Sequence, residues 1–279
     1  MRLKEYHKPA TIDEALELLR RNSPRTAVLS GGAWLNADGP NEIEAVIDIS
    51  DLGLNKIVRA GTPLLVRIGA TVTLQTLVDE LKDAPGLSVI ATSAHAMAAL
   101  NIRNQATIGG AIVTADSSSP LVTALLACDA ELVIKAAEER TVSLSAFLSY
   151  RERILAEKVL ITAIQMPVPS ADTVAVYHRV ARTPRDYPIV CVAARCAVKD
   201  GIAGNMRVAI GGVAPTPIRL NLLEFALEKK PVNAALNEAI NAAISRLSPQ
   251  GDWLGSAEYR LEMARVLIRR AVLEAARIQ

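Results

Sequence analysis

Aromatic residues are scarce in this chain of 279 residues: two Phe, two Trp and five Tyr make up 3% of it. It therefore has little material for a base-stacking surface, and Ala, Leu, Ile and Val must fill its core. An excess of charge is missing as well. The 31 basic and 29 acidic residues leave a net +2, which supplies no field for nucleic acid. The three cysteines, Cys128, Cys191 and Cys196, show no CxxC spacing. That excludes a disulfide framework and argues against a zinc site or an iron–sulfur cluster held by this chain. They read instead as buried, reduced thiols of a cytoplasmic protein. The longest uncharged run, Ala84 to Ile102, is broken by Pro85, Gly86, Ser88, His95 and Asn101, so no membrane span is expected. Met1 to Pro9 has no apolar run, so no export signal is expected either.

The usual catalytic signatures are also lacking. There is no GxxxxGK[ST] loop, no GxGxxG and no GxSxG. The three histidines, His7, His95 and His178, sit at no metal-ligand spacing. No metal site and no catalytic side chain is predicted.

What the chain has is an apolar fraction of 51% and enough length to bury about three quarters of its unfolded surface. Thr11-Ile-Asp-Glu14 is a capping box ahead of helical spacing at Ile12, Ala15, Leu16 and Leu19. With short apolar strands at 26–29 and 45–49, the first fifty residues read strand, helix, strand, loop, strand. A hairpin follows over 57–68, turning at Gly61. Helices are expected over 73–81, 88–100 and 120–127, and strands over 131–134 and 159–166. Pro167-Val-Pro169 then marks a domain boundary. Beyond it, strands over 174–180, 189–198 and 206–210, with a turn at Asp200-Gly201, precede helices over 222–228, 233–246 and 256–278.

Two glycine pairs each follow an apolar segment: Leu29-Ser-Gly-Gly-Ala-Trp-Leu-Asn36 and Thr107-Ile-Gly-Gly-Ala111. Successive N–H groups of a glycine turn can converge on an anion, and two such nests could share a diphosphate. The competing use of a glycine pair, and the commoner one, is a tight turn or bulge.

Ser30-Gly-Gly and Ile102-Arg-Asn-Gln-Ala-Thr-Ile-Gly-Gly110 resemble the two FAD-binding segments of the medium, flavoprotein subunit of molybdenum hydroxylases. This is the xanthine dehydrogenase and carbon monoxide dehydrogenase group. Tyr6-His-Lys-Pro-Ala-Thr, Val46-Ile-Asp-Ile, Asp129-Ala-Glu-Leu-Val, Tyr177 to Tyr187 and Gly211-Gly-Val-Ala-Pro-Thr-Pro-Ile-Arg219 extend the likeness over the whole chain.

The resemblance implies an α+β fold. A two-lobed, PCMH-like FAD-binding α/β domain would occupy 1–167, with lobes of about 1–55 and 56–167. A C-terminal domain of a three-stranded antiparallel sheet with helices would occupy 168–279. It implies an FAD-dependent oxidoreductase subunit in the cytoplasm. Electrons would come from [2Fe-2S] clusters on a small partner subunit, fed by a molybdopterin cofactor on a large one, and would leave to an acceptor such as NAD. The residues implied at the flavin are Leu29, Ser30, Gly31, Gly32, Ala33, Trp34, Leu35, Asn36, Thr107, Ile108, Gly109, Gly110 and Ala111, with Leu160 and Arg179. Two positions depart from the family pattern. The indole of Trp34 stands where relatives carry Ser, Thr or Asp, and would either cap the flavin or crowd the diphosphate. Pro120 stands where many carry a carboxylate, leaving Asp116 as its substitute. A flavin-free structural subunit and a stand-alone FAD oxidoreductase are the alternatives.

Overall fold

The structure, a computed structural model, describes residues 3–184, 186–199, 202–228 and 231–278. The chain begins β1 (Glu5–His7), α1 (Ile12–Arg20), β2 (Thr26–Leu29), α2 (Ala33–Asp38) and β3 (Ala45–Asp48). It continues β4 (Ile57–Ala60), β5 (Leu65–Gly69), α3 (Leu74–Leu81), α4 (Ser88–His95), α5 (Leu100–Arg103), α6 (Ile108–Val113) and α7 (Pro120–Ala127). Next come β6 (Glu131–Lys135), β7 (Glu139–Ser143), α8 (Leu144–Ser149), α9 (Arg151–Ala156) and β8 (Leu160–Pro167). It ends β9 (Thr173–Val180), β10 (Val190–Lys199), β11 (Ile202–Gly211), β12 (Ile218–Arg219), α10 (Asn221–Leu227), α11 (Val232–Ile244) and α12 (Ala257–Ala275). These elements form two compact units that interleave along the chain. One is Met1–Thr76, Leu100–Thr114 and Glu131–Pro167; the other is Leu77–Ala99, Ala115–Ala130 and Val168–Gln279.

In the first unit, the Thr11 hydroxyl accepts the Glu14 N–H at 3.2 Å and starts α1. The Glu14 carboxylate returns to the Ala10 N–H, one residue before the usual capping-box partner. The helix buries Ala15, Leu16 and Leu19 against Ile47 and Ile49, around the all-buried central strand of a parallel sheet ordered β1-β3-β2. A second, antiparallel sheet is ordered β4-β5-β8-β6-β7. Its β4–β5 pair is the hairpin expected over 57–68.

In the second unit, β9 to β12 form an antiparallel sheet ordered β12-β11-β10-β9. Alternate residues of its inner strands, Val190, Val192, Ala194, Met206, Val208 and Ile210, pack into one core with Leu223, Leu236, Ile240, Leu267, Ile268 and Val272 of α10 to α12. The other face of β10 and β11 receives α7, which is apolar all round and buried at every position.

Several local expectations are corrected. Residues 33–38, expected as loop, form α2. The helix expected over 88–100 stops at His95, and α5 begins separately at Leu100. The second glycine pair lies inside α6 rather than in a turn. The strand β7 and the helices α8 and α9 were not expected, and β12 adds a fourth strand to the expected three. The Asp200-Gly201 turn falls outside the described residues.

Candidate functional site

In sheets of parallel strands, ligands bind beyond the carboxyl ends. Here Leu29 at the end of β2 is in register with Asp48 at the end of β3. Ser30-Gly31-Gly32 leaves that edge. Gly32 turns the chain into α2 with φ of 72°, the left-handed conformation that glycine tolerates. The first turn of a helix has no intrahelical carbonyl for its N–H groups, and Gly32 supplies no side-chain cap to α2. Beside this edge, Asp48 is mostly buried. Burial alone would raise its pKa, but hydrogen bonds from the Tyr6 hydroxyl and the Ser50 N–H outweigh that and hold the carboxyl below its usual range.

The second glycine segment lies 77 residues further along, counted from Ser30 to Thr107. Arg103 is buried, with its guanidinium on the Gln75 amide oxygen at 2.9 Å. Thr107 caps α6 and also donates to the Ser30 hydroxyl at 2.9 Å. At Gly31, an added Cβ would lie 1.7 Å from the Gln105 carbonyl oxygen. The two glycine segments therefore meet in one place, main chain against main chain.

Their roles differ from the expected pair of matching anion nests. The N–H groups of the second segment are already committed. Ile108 donates to Val72, Gly109 to Ala70, Gly110 to the Thr107 hydroxyl and Ala111 to the Thr107 carbonyl. Its contribution to a ligand is reduced to the Thr107 hydroxyl and the bare Cα of Gly110. An added Cβ on Gly110 would meet only the Thr107 oxygen, at 3.2 Å. On Gly109 it would strike Ala70, at 2.8 Å from the carbonyl oxygen. So Gly31 and Gly109 serve close packing, Gly32 serves a turn, and Gly110 is the least crowded, its missing side chain facing one atom, the Thr107 oxygen. A threonine three residues before Gly110, at the start of Ile-Gly-Gly-Ala-Ile-Val, was the available sign of a capped helix.

The family model for the FAD binding domain in molybdopterin dehydrogenase matches residues 2–169, more than half of the chain. The chain belongs to this FAD-binding family. It is an oxidoreductase subunit of the flavoprotein type. A second model, the CO dehydrogenase flavoprotein C-terminal domain, matches residues 175–275. The xanthine dehydrogenase FAD-binding subunit of Escherichia coli is 27% identical over 278 residues, covering 97% of this chain and 95% of the relative. The carbon monoxide dehydrogenase medium chain of Afipia carboxidovorans is 29% identical over 285 residues, covering 96% and 95%. Carbon monoxide dehydrogenase from Hydrogenophaga pseudoflava, solved without the Mo-pyranopterin moiety, superposes with a TM-score of 0.88 at 29% identity, covering 99% of this chain and 97% of that one.

The residues present fit the FAD that this family binds. The missing side chain of Gly110 faces the Thr107 hydroxyl, which bonds that of Ser30, a cradle that a side chain would crowd. Three further residues expected at the flavin have the following contacts within the chain. Leu160 is buried in the core with Leu16, Leu19 and Ile47, so packing uses its side chain. Arg179, in the second unit, donates to the carbonyl oxygens of Pro184 and Asp186 and ties down the loop that follows its own strand. Asp116, also in the second unit, accepts from the Ser118 N–H at 3.1 Å and bonds the Tyr187 side chain. Its carboxyl reaches solvent, yet the groups crowded around it desolvate it enough to raise its pKa. Pro120 begins α7 at a position where no N–H is needed. Among the described residues there is no cluster of His, Cys, Asp and Glu that could hold a metal ion, and no helix is long and apolar enough to cross a membrane.

Proposed function

We propose that this chain holds FAD at the junction of Ser30 and Thr107 and serves as the electron-transferring medium subunit of a cytoplasmic, molybdenum-containing hydroxylase. The observation that carries this reading is the meeting of two sequence-distant glycine segments through the Ser30–Thr107 bond, beside the open Cα of Gly110. When bound, FAD would supply the redox chemistry that links [2Fe-2S] clusters of a small subunit, and behind them a molybdenum centre on a large subunit, to an acceptor such as NAD.

The work of this chain is to bind and orient the cofactor. The Ser30 hydroxyl, which accepts from Thr107 and keeps its own proton, and the N–H groups at the start of α2, from Ala33 to Leu35, offer donors to the diphosphate and ribityl oxygens, with Thr107 orienting Ser30. The bare Cα of Gly110 lets the cofactor come close. In this reading residues 1–167 are the FAD-binding domain and 168–279 the C-terminal domain.

The test is the purified complex and the purified chain. The chain should be yellow or become so on adding FAD, release FAD on acid extraction, and copurify with molybdenum- and iron-containing chains. A chain that stays colourless in excess FAD refutes the cofactor assignment. A flavoprotein that elutes alone from a native extract refutes the subunit assignment.

A further inference from the structure

Trp34 has no task in folding that the structure reveals. It lies on α2, a six-residue helix that buries none of its side chains, and 42% of its own surface is exposed. Tryptophan is on average among the more buried residues, because an indole left in water forgoes a large apolar contact. The chain has two tryptophans, and the other differs in one respect. Trp253 is more exposed still, but the guanidinium of Arg182 lies 4.6 Å from its ring centre. Among the described residues no cation covers Trp34.

Position gives the indole its meaning. Trp34 comes two residues after Gly32, where the chain turns, and four after Ser30, whose hydroxyl is bonded to Thr107. Four residues of chain span at most about 14 Å, and the turn at Gly32 followed by helix shortens that. The Asn36 amide, one helical turn from Gly32, folds back to within 3.4 Å of where a Gly32 Cβ would sit, so the segment is tightly wound. A flat, partly exposed ring with no cation over it among the described residues is thus held within reach of the hydroxyl pair and Gly110.

We infer that Trp34 is a stacking platform for one of the planar heteroaromatic rings of the bound dinucleotide, an inference that rests on the FAD reading proposed above. The exposed indole is then a binding surface completed by the cofactor. The diphosphate is gripped by the hydroxyls and main chain, while Trp34 fixes the direction in which one ring leaves.

The experiment is a fluorescence and equilibrium titration of the full chain with FAD, ADP and FMN. The proteins are the wild type, Trp34→Phe, Trp34→Ala and Trp253→Phe. Stacking of a ring on an aromatic side chain predicts an FAD affinity about 10- to 100-fold weaker in Trp34→Ala and within a few-fold of wild type in Trp34→Phe. Quenching of tryptophan emission by FAD should persist in Trp253→Phe and vanish in Trp34→Phe. Quenching by ADP assigns the stacked ring to the adenine end, and quenching by FMN to the isoalloxazine end; either supports the inference. Trp34→Ala binding FAD as tightly as wild type, or quenching carried by Trp253, overturns the inference and leaves the FAD reading standing. Wild-type chain that binds no FAD overturns both.

Discussion

Replacing the glycines of the two segments one at a time should separate folding from cofactor binding. At Gly31, a methyl group would sit 1.7 Å from the Gln105 carbonyl oxygen. The two segments would have to part by about 1.5 Å to reach even a tight contact. That movement also pulls on the Ser30–Thr107 bond. Overpacking of this kind costs about 1–3 kcal/mol and sometimes more. At roughly 2–4 °C per kcal/mol for a chain of this size, Gly31→Ala should lower Tm by about 2–12 °C. Gly110→Ala should behave oppositely in the fold. Its methyl meets only the Thr107 oxygen, and the exchange of Gly for Ala within α6 favours the helix by up to about 1 kcal/mol. Its Tm should therefore stay level or rise. Gly110→Asp should also fold, yet place a carboxylate where the diphosphate comes. Losing even one charge-assisted bond there costs about 1.5–3 kcal/mol, or roughly 10- to 150-fold in affinity. Thermal unfolding of the apoprotein, read beside FAD titration, separates the two effects. Gly110→Asp that retains wild-type FAD affinity, or Gly31→Ala that keeps the wild-type Tm, would refute the division of labour argued for these residues.

Asp129 sits at φ of 54° after α7 and receives Arg207 at 2.8 Å, Arg195 at 3.5 Å and Arg219. Asp129→Asn keeps a residue that tolerates this conformation but leaves Arg195 and Arg207 short of a counter-charge, while Arg219 keeps Glu224. It should cost about 3–5 kcal/mol in urea unfolding, with Asp129→Ala at least as harmful. The Asp252 carboxyl is held below its usual range, chiefly by its paired hydrogen bonds from Arg260 at 2.8 Å, with burial opposing. A lowered folded-state pKa means that its stabilisation is full above the unfolded value of about 3.9 and is lost as pH falls through the folded one. Wild type should therefore lose more stability than Asp252→Asn as pH drops below about 4. The two should converge in acid-unfolding curves. Burial pushes the Cys128 and Cys191 thiols up to about 11, and all three cysteines are buried. Native protein at pH 8 should accordingly resist thiol reagents, and labelling should appear only as the chain unfolds, followed by mass spectrometry.

Much of the fold was legible because its signals are local. Thr11 three residues before Glu14 announces α1, and the near-continuous apolar run over residues 189–197 announces a strand buried on both faces. Pro120 at the head of an unbroken apolar run announces the buried helix α7. The short elements were not legible. Nothing in Ala-Trp-Leu-Asn-Ala-Asp demands a six-residue helix, which exists because Gly32 turns the chain there. The strand β12 is two residues long, and only its pairing with β11 makes it one.

The sequence by itself determined which residues could form a site: the two glycine pairs, the threonine before the second, and the likeness they carry to a flavoprotein family. Tertiary structure decided how each residue is used. Whether an N–H is free for a ligand depends on the carbonyl opposite it, and for Ile108 and Gly109 those carbonyls belong to Val72 and Ala70, over thirty residues away. Whether a glycine serves a cofactor or a neighbour depends on what faces its missing side chain: the Gln105 carbonyl at Gly31, a single hydroxyl oxygen at Gly110. Spacing along a chain records what can come together, but hydrogen bonds and steric contacts between distant segments are settled only when the segments pack.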